Sequence, residues 1–108
     1  MFMAWQQRED ETLEVTRVKL PRGREVLGIV QQRLGGGRMT VISTDGKKRN
    51  CRIPGRLKRQ LWVREGDAVI VEPWELGGDE KGDIVFKYKK NELLFLKKQG
   101  YLRQIEEI

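Results

Sequence analysis

The chain contains no histidine and a single cysteine, Cys51. Without histidine the commonest general base at neutral pH is missing, and no Ser–His or Cys–His nucleophile can be assembled. One cysteine rules out an intrachain disulfide. A zinc site would have to be built from carboxylates and one thiolate, against the usual ligand set. No stretch approaches the roughly 18 apolar residues of a membrane-spanning helix. Residues Met1 to Thr12 are polar and acidic after Trp5, without the basic-then-apolar order of a signal peptide. The expectation is a cytoplasmic protein without membrane contact. Acids are scarce in the middle of the chain, where Asp45 is the single carboxylate between Arg33 and Arg64. A nuclease or similar hydrolase needs clustered carboxylates for metal or acid–base work. A non-enzymatic protein that needs neither cofactor nor metal is therefore expected.

That same window carries ten Lys/Arg, whereas the remainder of the chain holds twelve Lys/Arg against fifteen Asp/Glu. The net charge of +6 thus comes from one continuous third of the sequence. A basic excess confined to one stretch is the electrostatic footprint of a surface that docks on phosphates. A merely solvated face usually mixes both signs. With 108 residues, 38% hydrophobic and 35% charged, the chain fits one charged globular domain with a modest core rather than a disordered tail.

Residues 1–22 read as an arm closed by Pro21 and Gly23. Residues 23–90 form the body, and 91–108 a C-terminal helix with a short tail. In the body, short strands alternate with turn residues. Val26 to Val30 is apolar around Gly28, where a glycine signals a bulge or a close backbone approach. Gly35-Gly36-Gly37 is a turn that lacks the lysine and Ser/Thr of a phosphate-binding P-loop. Met39 to Thr44 is a second, β-branched strand, and Asp45-Gly46 a two-residue hairpin turn. In the third strand, Lys47 to Ile53, Cys51 and Ile53 face one way and Lys48, Asn50 and Arg52 the other. Cys51 is then a small core residue. Pro54-Gly55 ends the strand, and Arg56 to Trp62 reads as a short helix with Leu57 and Leu61 as its apolar line. Ala68 to Trp74 and Asp83 to Lys89 are the fourth and fifth strands, the latter with Ile84, Phe86 and Tyr88 on one face. Asp79, Glu80 and Asp83 lack calcium-loop spacing and read as a solvated turn. Asn91 is placed to cap a helix from Glu92 to Gln99 that ends at Gly100 and packs on the body.

Five strands with a short helix between the third and fourth, then a C-terminal helix, is the element order of an all-β OB-fold barrel. That fold binds oligonucleotides on strands two and three and the adjoining loops. The basic window falls on the same surface.

The run Asn50-Cys51-Arg52-Ile53-Pro54-Gly55-Arg56-Leu57-Lys58-Arg59-Gln60-Leu61-Trp62-Val63 resembles translation initiation factor 1A, the archaeal and eukaryotic relative of bacterial initiation factor 1. Val26 to Val30, the glycine turn to Arg38, Asp45-Gly46-Lys47, Glu65-Gly66-Asp67, Asp83 to Tyr88 and Gly100-Tyr101-Leu102 extend the resemblance over roughly residues 25–102. It implies a monomeric, non-enzymatic factor in the decoding A site of the small ribosomal subunit. There the family contacts ribosomal RNA, supports recruitment of the initiator tRNA complex and aids start-codon selection. Its further partners are the initiation factor 1 homologue and the subunit-joining GTPase of initiation factor 5B type. The positions matching the family's RNA-facing residues are Arg38, Lys47, Lys48, Arg52, Arg56, Lys58, Arg59 and Arg64. Ile105, Glu106, Glu107 and Ile108 resemble the terminus that docks on the GTPase. The short, slightly acidic arm and abbreviated acidic end look archaeal.

Arginine grips phosphate with two hydrogen bonds or stacks on a base, so Arg52, Arg56 and Arg59 are expected to carry affinity. Arg38 and the Gly35–Gly37 loop are placed to enter a groove. Trp62 has two readings. One stacks it on a base, and the favoured one packs it over the core, as aromatics usually do. Trp74 and Phe86 read as structural, and Tyr88 as either. The alternative function is a general single-stranded RNA binder or chaperone on the same fold. Such domains stack bases on several aromatics of strands two and three, yet Met39 to Ile53 contains none.

Overall fold

A computed structural model describes residues 18–106. The expected arm is thus described only from Val18 onward, and Glu107 and Ile108 lie outside the described residues. Strand β1 runs Val26–Gly35, β2 Arg38–Ser43, β3 Lys48–Arg52, β4 Ala68–Pro73 and β5 Lys81–Lys87. One 3-10 turn, Gly55–Leu57, lies between β3 and β4, and helices α1 (Lys90–Lys98) and α2 (Arg103–Glu106) follow β5. The strands close into a barrel in the order β1-β2-β3-β5-β4, with β3 parallel to β5 and the other pairs antiparallel. This is the OB-fold arrangement that the element order predicts.

Two apolar clusters hold it. Val30, Met39, Val41, Cys51, Val69, Val71 and Ile84 fill the barrel together with Ile53 and Val63. Leu27, Ala68, Ile70, Tyr88, Leu96 and Leu102 form a second cluster outside it, joined by Leu93, Phe95 and Ile105 from α1 and α2. Strand β4 serves both: Val69 and Val71 point inward, Ala68 and Ile70 outward. This explains why Ala68 to Val71 is a continuous apolar run rather than an alternating one. Each fully buried leucine contributes roughly 1.5–3 kcal/mol, so Leu96 and Leu102, with Leu93, Phe95 and Ile105 beside them, anchor the short helices on the barrel. Helix α1 ends at Gly100, whose φ of 80° lets Tyr101 N–H reach the Leu96 carbonyl (3.0 Å) and Gly100 N–H the Lys97 carbonyl (3.2 Å).

Several local expectations differ from the structure. Gly28 marks a close approach: a Cβ there would lie 2.4 Å from Val41 Cγ1, while the register shifts of β1 come later, between Val30 and Gln32 and between Arg33 and Gly35. The Asp45-Gly46 hairpin has three loop residues, because Ser43 N–H bonds the Lys47 carbonyl at 2.9 Å. The helix expected over Arg56 to Trp62 is one 3-10 turn. Leu57 and Leu61 do pack on the core, but Val63 fills a barrel position and draws the chain out of helical winding. Strand β5 begins at Lys81, where Lys81 to Asp83 pair with Asn50 to Arg52. A bulge at Val85, where Val71 faces Ile84 and Ile70 faces Phe86, sends Ile84 into the barrel and Phe86 and Tyr88 to the outer cluster. Helix α1 starts at Lys90, because Glu92 Oε1 accepts the Lys89 N–H at 2.7 Å and moves the cap ahead of Asn91.

Candidate nucleic-acid interface

Alternation along β2 and β3 turns Arg38, Thr40 and Ile42, and Lys48, Asn50 and Arg52, to the outer face. The register sets Arg38 directly opposite Arg52, Thr40 opposite Asn50 and Ile42 opposite Lys48. Two like charges facing each other across a pair of strands destabilise it. The row continues across the barrel, with Arg52 opposite Asp83 and Asp83 opposite Glu72. The sign of the surface therefore changes between β3 and β5. At that boundary Arg52 Nε donates to Asp83 Oδ1 at 3.1 Å.

The β1–β2 hairpin extends beyond the barrel body, and Gln31 to Gly35 are exposed. Its turn is Gly36-Gly37, with φ of 62° and 74°, a conformation open to glycine. Ile53 N–H bonds the Gly37 carbonyl at 3.1 Å, which ties the hairpin tip to the chain leaving β3. Lys58 crosses this tip, its Cε 3.4 Å from where a Gly37 Cβ would stand. The result is a groove of about 400 Å³ walled by the glycine turn, Arg33, Arg38, Lys58, Leu61 and Trp62.

Trp62 is 67% exposed, which overturns the packing expectation; Val63 takes the core position instead. Its backbone is fixed, since Lys87 Nζ donates to the Trp62 carbonyl and lies 3.5 Å from Asp67 Oδ2. On its other side the indole borders a second groove of about 440 Å³, with Arg64, Lys87, Lys89 and Lys90 in its wall. An exposed indole between two cationic grooves is suited to stacking on an unpaired base.

The expected RNA-facing residues are all exposed, but they are not equivalent. Arg38, Lys58 and Trp62 share the first groove, and Arg64 joins Trp62 in the second. Arg56 lies within the 3-10 turn and Arg59 just after it, outside both groove walls. Lys48 sits at the other end of β3 from Arg52, about 13 Å away at the usual strand rise. Among the described residues, Arg38, Lys48, Arg56, Lys58, Arg59 and Arg64 make no ion pair, whereas Lys47 pairs with Asp79 and Arg52 with Asp83. At the C-terminal end, Ile105 is half-buried against the outer cluster.

Sequence reasoning missed three features. Arg33 lines the first groove, although the hairpin's length was hidden by the bulges. Lys87, Lys89 and Lys90 lie outside the basic window because Glu80 and Asp83 dilute that stretch of sequence. Arg49 is 2% exposed; its two-residue spacing from Cys51 was the available signal that it points inward. Its guanidinium grips Asp45 and donates Nε–H to the Gly78 carbonyl, tying the β2–β3 loop to the β4–β5 loop. One of the ten cations of the window is thus a structural strut.

The electrostatics of buried groups follow from these positions. Partial burial pushes the Asp45 carboxyl up, but the Arg49 hydrogen bonds, the Lys47 N–H and both positive charges outweigh it and hold the group below its usual 3.8. Burial pushes the Cys51 thiol up to about 12, so it is not a nucleophile at neutral pH. Tyr88 is also raised, by burial first and then by Glu92 and Glu25, and its hydroxyl donates to the Lys19 carbonyl. Tyr88 is thus a structural residue. Among the described residues no three His, Cys, Asp or Glu side chains gather to hold a metal ion. No helix there is long and apolar enough to cross a membrane.

A closed five-stranded barrel in this strand order, with a cationic β2–β3 face and an open aromatic beside a groove, defines an OB-fold protein of the nucleic-acid-binding class. Residues 15–107 match the family described as Translation initiation factor 1A / IF-1. Translation initiation factor 1A of Methanococcus aeolicus is 53% identical over 91 residues, covering 82% of this chain and 87% of the relative. That of Pyrococcus abyssi is 46% identical over 102 residues, covering 94% of this chain and 90% of the relative. Among solved structures, YjeQ from Thermotoga maritima superposes with a TM-score of 0.50 at 27% identity, over 60% of this chain and 23% of that one. The chain belongs to the translation initiation factor 1A / IF-1 family. The family is non-enzymatic, and membership implies binding to the small ribosomal subunit.

Proposed function

We propose that the protein occupies the decoding A site of the small ribosomal subunit through ribosomal RNA contacts, and there supports initiator tRNA recruitment and start-codon selection. The observation that carries this reading is the cluster of Arg38, Lys58 and Trp62 around one groove, with Arg56, Arg59 and Arg64 nearby making no ion pair among the described residues. Structured RNA is read through phosphates, 2′-hydroxyls, shape and splayed-out bases. A rigid barrel holding separated cations and one open indole answers those features. In this reading residues 23–90 are the RNA-binding barrel, 1–22 a flexible arm and 91–108 an extension of C-terminal helix and short tail. The extension's end, Ile105 to Ile108, meets the 5B-type GTPase, and the initiation factor 1 homologue binds the same subunit.

The test is binding to purified small ribosomal subunits at two salt concentrations, with an unrelated single-stranded RNA as control. Saturable one-to-one binding to subunits, weakening steeply with salt, is the expected outcome. Equal affinity for the control RNA would replace this reading with that of a general RNA binder.

A further inference from the structure

Beside the grooves, on the boundary where the surface changes sign, Arg52 is held in an unusual way for an RNA-binding cation. Its guanidinium carbon lies 5.0 Å from the centre of the Trp74 ring. Asp83 Oδ1 accepts both the Arg52 Nε–H (3.1 Å) and the Trp74 Nε1–H (2.9 Å). One carboxylate oxygen thus locks the guanidinium and the indole to each other. The main chain of Trp74 is held as well, since Arg24 donates to its carbonyl at 3.4 Å. Lys81 Nζ lies 5.5 Å from the ring.

This arrangement is poorly built for phosphate. The Nε edge of the guanidinium is spent on Asp83, and Glu72, Glu75 and Asp83 share the wall of the same shallow site of about 410 Å³ with Arg24 and Arg52. Three carboxylates against two guanidiniums leave no positive excess to draw an anion. The arrangement is well built for a flat, uncharged ring. With its guanidinium carbon over the Trp74 ring and its side chain still 56% exposed, Arg52 leaves the side away from the indole open to solvent. Unstacked RNA bases are held on Arg guanidinium planes as well as on aromatics, and a plane fixed in advance loses little freedom on binding.

We infer that Arg52 is a stacking platform for an unpaired nucleobase of the small-subunit RNA, with Trp74 and Asp83 as its positioning residues. The inference rests on the proposed ribosomal function and adds to it a second base-binding position, separate from Trp62.

Arg52→Lys separates the two kinds of contact, because lysine keeps the charge and loses the plane. Affinity of the full chain for purified small ribosomal subunits is measured over a range of salt, with thermal melting of each variant as the folding control. Arg52→Lys is expected to bind about tenfold more weakly, the scale of one lost base stack, with the salt slope of the wild type. Arg52→Ala is expected to lose about as much. Trp74→Leu should weaken binding similarly, and adding Arg52→Lys to it should cost little more, because the two residues act as a unit. Full retention of affinity by Arg52→Lys, with loss only in Arg52→Ala and a slope lowered by about one, would make Arg52 a phosphate contact and overturn the inference. If Trp74→Leu unfolds, the Lys and Ala variants of Arg52 still decide. Absence of wild-type binding would overturn the functional reading and this inference together.

Discussion

Arg49 and Asp45 form a two-pronged ion pair at the loop end of the barrel, with Nη1 to Oδ1 at 3.0 Å and Nη2 to Oδ2 at 2.8 Å. The two sides are unequal: the Arg49 side chain is 3% exposed and that of Asp45 31%. Removing the acid leaves a buried charge without its partner, which costs about 3–5 kcal/mol in a fully buried pair. Water reaches Asp45, and the Gly78 carbonyl still accepts from Arg49, so Asp45→Ala is expected to cost less, about 2 kcal/mol. Urea denaturation measures this. Subunit affinity of the folded variant should be unchanged, since Arg49 does not reach the RNA-facing surface.

The same pair makes stability sensitive to acid. The folded-state pKa of Asp45 lies below 3.8, so the folded state favours the ionised form. Its contribution is fully present above the unfolded carboxylate value and is lost as pH falls through the lower folded value. Thermal melts of wild type and Asp45→Asn between about pH 7 and about pH 2 should therefore converge at the acid end. A gap between the two that stays constant over the whole range would separate Asp45 from the acid response.

Ser43 carries the one buried side-chain oxygen among the described residues that has no hydrogen-bond partner. Its side chain faces the barrel interior, where an unpaired hydroxyl is a liability. Ser43→Ala is expected to raise stability by up to about 1 kcal/mol, read as a higher urea midpoint at unchanged slope. A fall in the midpoint would mean that the hydroxyl is paired through a buried water.

The barrel was legible in the sequence because its signals are local. Turn residues separate the strands, β3 alternates cleanly, and Gly100 ends α1 where a glycine should. What was not legible depends on partners distant in sequence. Whether Trp62 packs or projects turns on whether Val63 takes the core position, and nothing within a few residues decides that. The pairing of Arg52 with Asp83 spans 31 positions and arises from the parallel β3–β5 contact, so nothing near Arg52 in sequence separates its setting from that of Arg56 or Arg59. Arg49 is the opposite case. Its spacing from Cys51 announced an inward side chain, and the presumption that arginine belongs outside concealed it.

Trp62 is a direct probe of the groove. With 67% of its surface exposed and its backbone held by Lys87, the indole can be removed without opening the core. Trp62→Ala is expected to leave the melting temperature nearly unchanged. Subunit binding should weaken by roughly 1–3 kcal/mol, the range for a base stacked on an aromatic, with the salt slope preserved because no charge is lost. A variant that binds like wild type would remove the indole from the interface.

Arg38 offers the sharpest separation of stability from function. It stands opposite Arg52 on the neighbouring strand, has no acidic partner among the described residues, and lines the groove beside Lys58. Asp83 compensates Arg52, whereas Arg38 is left to repel it. An arrangement that costs stability in the free protein becomes favourable once a phosphate lies against Arg38, because the RNA supplies the missing negative charge. Arg38→Ala should therefore stabilise the free barrel by about 0.2–1 kcal/mol, the range for relieving a cross-strand pair. The same change should weaken subunit binding and lower the salt slope by about one. Thermal melts and binding isotherms on the one variant test both halves. Loss of stability together with unchanged affinity would make Arg38 a structural residue of the hairpin, whereas opposite shifts in the two measurements would identify it as a cation kept in place for RNA.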